Sequence, residues 1–184
     1  MELRYIRSLV DQLDAAGIVF EPGLSDDEVQ QIEARFHFRF PPDLRKLLQY
    51  ALPRGERFPG WRKGTGAALR ETLAWPGQGI LDDVQHHNFW LPAWGDPPAS
   101  PEQAAETVRA LLDAAPVMVP VFGHRYMPCS PHQPGNPVFS IIGTEIMYAG
   151  SDLPSFFTIE FGVPCPEWAA SAPRPIPFWD DLIA

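Results

Sequence analysis

Residues 24–48 read LSDDEVQQIEARFHFRFPPDLRKLL, and the fold is decided by this stretch. Ser25 followed three residues later by Glu28 is a capping box, in which each side chain bonds an amide that the first turn of a helix leaves without a partner. Val29, Ile32 and Phe36 recur at three- and four-residue spacing, which puts them on one face of a helix over residues 26–36. Pro41 and Pro42 end that pattern and start the next, since proline suits a first turn, where its missing amide has no partner to lose. Leu44, Leu47, Leu48 and Ala51 supply the apolar face of a second helix over residues 42–51.

Working outward, Leu3, Ile6, Leu9, Val10 and Leu13 predict an amphipathic helix over residues 1–16. A fourth helix spans residues 101–114: Ser100 and Gln103 form its capping box, Pro101 sits in its first turn, and Pro116 closes it. Its apolar side holds Ala104, Val108, Leu111, Leu112 and Ala115. Residues 69–75, 117–122, 138–143 and 145–149 have the β-branched and aromatic content of strands. Ser151 or Asp152 can cap a short helix around residues 154–157, while 157–161 fits a strand equally well. The sum is an α+β fold, a mainly antiparallel sheet covered by helices.

At 184 residues the chain predicts one domain over 1–184, with its first helix within 1–20 and a proline-rich arm over 164–184 held to the body by Phe178 and Trp179. No stretch approaches the roughly 20 apolar residues that span a bilayer, and the N-terminus lacks a secretory pattern, so the cytoplasm is the expected location and no membrane partner is expected. Cys129 and Cys165 each lie beside proline and suggest neither a disulfide framework nor a cysteine zinc site. The net charge of −9 is unevenly spread: residues 35–70 hold nine Lys or Arg against two acidic residues, a local +7, leaving −16 elsewhere. Either these segments neutralise each other on folding, or an acidic face steers the protein toward a basic partner.

Candidate chemistry is sparse. Asp82 with His86 and Asp83 with His87 are i,i+4 pairs that share a helix face and could offer two metal ligands, but a catalytic zinc needs a third, which His124 or His132 would have to bring from across the fold. No catalytic residue, metal ligand or cofactor is assigned. The glycine-containing run after Trp61 fails the phosphate-loop spacing and reads as a mobile surface loop, so nucleic acid is not an expected partner. His124, Arg125 and Tyr126 follow a predicted strand. Arg125 either pairs with Glu145 or Asp152 to fix the sheet, or joins a recognition surface, since aromatics and arginine concentrate binding energy at interfaces. The candidate contact residues are Trp61, Trp94, Asp96, Arg125, Glu145, Tyr148 and Asp152.

The opening motif resembles that of the SUKH superfamily, which includes the fungal Smi/Knr cell-wall regulators and many bacterial toxin-immunity proteins. The residues that carry it are Leu24, Ser25, Glu28, Ile32, Glu33, Phe40, Pro41, Pro42, Asp43 and Leu48; His37 stands where the family usually has glycine. Residues 118–161, MVPVFGHRYMPCSPHQPGNPVFSIIGTEIMYAGSDLPSFFTIEF, look like the family's later region, and residues 90–96, WLPAWGD, resemble its tryptophan-glycine element. The resemblance implies the same α+β fold and a non-catalytic protein-binding role: an immunity protein that neutralises a cognate toxin by direct association, a basic nuclease being one candidate. Two alternatives stand beside it, a regulatory scaffold like the fungal members and a metal-dependent hydrolase using His86, His87 and His124.

Overall fold

The computed structural model describes residues 1–62 and 66–183; Lys63, Gly64 and Thr65 of the expected surface loop lie outside them. In chain order the elements are α1 (Leu3–Ala15), β1 (Val19–Pro22), α2 (Asp26–Phe36), α3 (Pro42–Tyr50), β2 (Ala51–Arg54), α4 (Gly66–His86), α5 (Pro101–Ala114), β3 (Met118–Phe122), β4 (Arg125–Pro128), β5 (Val138–Ile142), β6 (Glu145–Gly150) and α6 (Leu153–Phe161). β1 and β2 form a small antiparallel ribbon, and β3-β4-β5-β6 form a four-stranded antiparallel meander.

The 24–48 stretch folds as its chemistry dictates. The Glu28 amide donates to Ser25 Oγ at 3.1 Å and the Ser25 amide to Glu28 Oε2 at 2.8 Å, closing the capping box of α2. His37 ends α2 in the left-handed region at φ 58, the conformation in which glycine carries no side-chain penalty. The link then turns inward: the Phe40 amide donates to Glu33 Oε1 at 2.9 Å, and Phe38 and Phe40 pack on Trp61. Asp43, buried in the first turn of α3, accepts from the Gly135 amide at 2.8 Å and from the Met1 amino group, which ties this helix pair to the loop after β4.

Alternation along the meander divides its side chains between two cores. Val119, Val121, Met127 and Val138 face α1, α2, α3 and α6. Met118, Tyr126, Phe139, Ile141 and Ile146 face α4, α5 and the C-terminal arm, which contributes Ile176, Trp179 and Leu182. The arm is fixed by hydrogen bonds as well: Trp179 Nε1 donates to the Pro116 carbonyl at 2.8 Å, Tyr148 Oη to Asp180 at 2.7 Å, and Arg174 to the Pro134 carbonyl and the buried Asn136. The fold is α+β, with the antiparallel sheet between helical layers.

One element corrects the expectation outright. Residues 69–75, expected as a strand, lie inside the 21-residue helix α4. The buried Leu69, Pro76, Ile80 and Val84, with the partly buried Leu73, make its inward stripe at four-, three-, four- and four-residue steps, a helical period that runs straight through the proline. Pro76 has no amide for the Thr72 carbonyl, four residues earlier. Tyr126 supplies the missing donor, its hydroxyl reaching the Thr72 carbonyl at 3.1 Å. Strands β1, β2 and β4 were not anticipated, and 153–161 is wholly helical under an Asp152 cap.

Tyr126→Phe leaves the Thr72 carbonyl without a donor inside the fold and lowers stability by about 1–2 kcal/mol in urea unfolding. Pro76→Ala restores an amide there, so the double variant loses less than the sum of the single changes; strict additivity would disprove the pairing. His37→Gly removes left-handed strain from an exposed position and raises the thermal midpoint, by the equivalent of about 0.5–1 kcal/mol after the added chain entropy of glycine is counted.

Candidate functional site

A groove of about 540 Å³ opens where α4 passes the β3–β4 turn. One wall is the outer side of α4, with Glu71, Thr72 and Trp75; the other is His124 in the turn and Ile142 at the end of β5, with Tyr126 also lining the groove. Because the stripe from Leu69 to Val84 faces inward, residues two and six positions after Leu69 face outward, and Trp75 is left 55% exposed. Ile142 is 50% exposed, and Met147, two residues after Ile142's cross-strand partner Glu145, is 59% exposed. Large apolar side chains left in water this close together, beside a concave wall, have the character of a contact surface.

The turn is braced from behind by charge. Gly123, at φ 54, donates its amide to the Arg57 carbonyl at 2.6 Å, and the Arg57 guanidinium lies 4.0 Å from the centroid of the Phe122 ring. Glu160 on α6 takes both Arg57, at 3.3 Å, and Arg125, at 3.5 Å, while Arg125 Nη1 donates to Ser140 Oγ at 2.8 Å. Burial, with Arg125 and Arg57 nearby, lowers the His124 pKa below the usual 6.5, against a smaller raising effect of Glu160. At neutral pH the groove therefore holds an uncharged imidazole.

Charge elsewhere sorts by layer. Much of the basic 35–70 segment is neutralised by neighbours: Arg62 bonds Glu28 at 2.6 Å and Glu21 at 3.5 Å, Arg54 bonds Glu21 at 3.0 Å, and Arg45 bonds Asp26 at 3.1 Å. Arg62 and the Ser25 amide hold the Glu28 carboxyl down to about 2. Residues 71–122, which build most of α4, all of α5 and their connection, hold seven acidic residues against Arg109 alone, a net of −6. Glu71, Asp96, Glu102, Glu106 and Asp113 are exposed and make no ion pair among the described residues.

The residues singled out from sequence do not meet at one place. Trp61 is buried against Phe38 and Phe40, and Asp152 is buried as the cap of α6, accepting from Ser155 and from Ala170 in the arm. Both are parts of the core. Trp94 and Tyr148 border the second core, where Trp94 stacks on Phe178. Asp96 is exposed in the α4–α5 connection, and Glu145 is exposed at the start of β6. Arg125 pairs with a carboxylate, as one of its two expected roles requires, but with Glu160 in place of Glu145 or Asp152. Of the seven, Arg125 and Glu145 neighbour the groove. Trp75 and Glu71 escape the sequence reading because residues 69–75 have the composition of a strand; a helical wheel drawn from Leu69 to Val84 puts Glu71 and Trp75 on the outer side and finds them, whereas Ile142 lies in a strand that was expected and is marked out only by its exposed position at the end of β5.

Among the described residues, Asp82, Asp83 and His87 come close enough to share a cation, with ligand atoms within 4.8 Å of one another. Asp83 is already engaged in the fold, since its Oδ2 accepts from the Thr144 amide and hydroxyl, both at 2.8 Å, and its Oδ1 meets His87 at 2.9 Å. This fixes the β5–β6 turn to α4. His86 bonds Asp82 at 3.0 Å, and His124 belongs to the groove. No described helix is long and apolar enough to cross a membrane. The chain matches no family model, no curated protein and no solved structure.

In an NMR titration the His124 ring should titrate below 6.5, and Glu160→Gln should take its midpoint lower still, because the carboxylate is the group that favours the imidazolium. The folded value lies below the unfolded one, so this residue withdraws stability as pH falls through the window between them. A midpoint at or above 6.5 would contradict the described environment.

Proposed function

We propose that this chain is a SUKH-type protein-binding module, a bacterial immunity protein that neutralises a cognate toxin by direct, non-catalytic association. The observation that carries the reading is the segregation of charge: Arg45, Arg54 and Arg62 are paired within their own layer, whereas α4, α5 and their connection, residues 66–122, keep a net of −5 and expose Glu102, Glu106 and Asp113 without an ion pair among the described residues. Such a face raises the encounter rate with a basic protein such as a nuclease and discriminates against acidic ones. Occlusion then requires only a stable, complementary interface. The family-like features agree with this reading. The capped helix and Pro-Pro restart build one layer, and His37 adopts the left-handed geometry that suits the glycine usual at that place in the family.

Co-expression with the toxin domain encoded beside its gene is the direct test: growth should be restored and a stoichiometric complex recovered. Reversing Glu102, Glu106 and Asp113 to lysine should slow association by about tenfold at low ionic strength, a difference that shrinks as salt is added. A toxin that kills unchanged and forms no complex would end the proposal.

A further inference from the structure

The groove and the acidic layer are contiguous through α4, which carries Glu71 and Trp75 on its outer side. Resting on the protein-binding reading above, we infer that the groove receives one apolar side chain of a basic protein partner, with Glu71 and Glu145 holding cationic side chains that flank this anchor. Four observations converge on that occupant. Trp75 and Ile142 are both half exposed and both line the cavity, so each loses water-exposed apolar surface when it is filled. Its histidine is held neutral by burial and by two arginines, so the interior imposes no cationic charge of its own on the anchor. Glu71 lines the groove, and Glu145 stands directly across from Ile142 in the β5–β6 register; both carboxylates are exposed and make no ion pair among the described residues. The two arginines that act on the groove's histidine, Arg57 and Arg125, are engaged by Glu160, which limits their repulsion of a cationic partner. An apolar anchor in a pocket with charged contacts at the rim is the arrangement that concentrates binding energy in few residues.

The probe is the capped pentapeptide Arg-Arg-Leu-Arg-Arg, titrated against the full chain and followed by NMR, with Glu-Glu-Leu-Glu-Glu as its charge-reversed control. The basic peptide should shift the Trp75 indole, the Gly123 and His124 amides and the Ile142 methyl groups, with the response fading as salt is raised. Glu71→Lys combined with Glu145→Lys, two exposed changes that leave the core untouched, should weaken the response at least tenfold; Glu167→Lys, a charge reversal on the C-terminal arm, should not. Shifts centred elsewhere, no shifts, or equal shifts from the acidic peptide would overturn the assignment. The toxin co-expression assay, run in parallel, reads the immunity reading alone. Groove shifts without protection remove the toxin and keep the groove, whereas protection without groove shifts removes the groove and keeps the toxin.

Discussion

A sheet that is apolar on both faces persists in water only if two separate layers cover it, and the β3–β6 meander is such a sheet. Every residue of β3 is buried, as are all but one in each of β4 and β5. Its alternating side chains demand α1, α2, α3 and α6 on one side and α4, α5 and the arm on the other. Helix α4 belongs to both cores, giving Leu69 to the first and Ile80 and Val84 to the second. It is therefore the element whose displacement would open both layers, and its interior proline sits at the crossover. The Tyr126 hydroxyl at that point satisfies the one carbonyl of the helix that the proline leaves without its amide.

The ion pairs serve a different purpose. Those linking Glu21, Asp26 and Glu28 to Arg45, Arg54 and Arg62 have at least one partly exposed member each, and pairs of that kind contribute at most about 1 kcal/mol. They do not hold the two layers together. They offset three of the seven excess positive charges of the 35–70 segment, and the other carboxylates of residues 1–70 bring that part of the chain to +1, so that the net −9 of the chain comes from residues 71–184. Of the two explanations that the uneven charge invited, neutralisation on folding accounts for the basic segment, and a residual acidic face remains.

Where local chemistry was sufficient, the sequence was legible. The capping box at Ser25, the simple cap at Ser100 (which accepts from the Gln103 amide without the reciprocal bond expected of a capping box), the prolines at the starts of α3 and α5, and the periodic leucines fixed four helices to within a residue or two. β4 and the ribbon β1–β2 were not legible, because four-residue strands carry too little pattern and exist through their cross-strand partners. The start of α4 is obscured because Thr72, Trp75 and Pro76 argue locally against helix, while the evidence for it lies farther along, at Ile80 and Val84. That one conflict hides most of the groove. Trp61 and Asp152 failed as surface candidates for a related reason: a tryptophan or an aspartate is as suited to a core contact or a helix cap as to an interface, and only the packing distinguishes them.

The groove is held in shape before anything enters it. The Tyr126 hydroxyl fixes the Thr72 turn of α4 to β4, and farther along the same helix the Asp83 carboxylate fixes α4 to the β5–β6 turn through Thr144, beside the strand end that carries Ile142. Gly79 makes this approach possible, since a Cβ there would come within 2.9 Å of Gly143. The two walls of the groove are thus joined at two points, and Gly123 is anchored from behind by Arg57. A partner entering it would meet walls already joined by these bonds, which lowers the ordering cost of association on this side. Because Trp75, Glu71, Ile142 and Glu145 project outward from elements whose inner faces maintain the cores, they can be exchanged with little effect on the fold. A scaffold with that division of labour can change partners while keeping both cores intact.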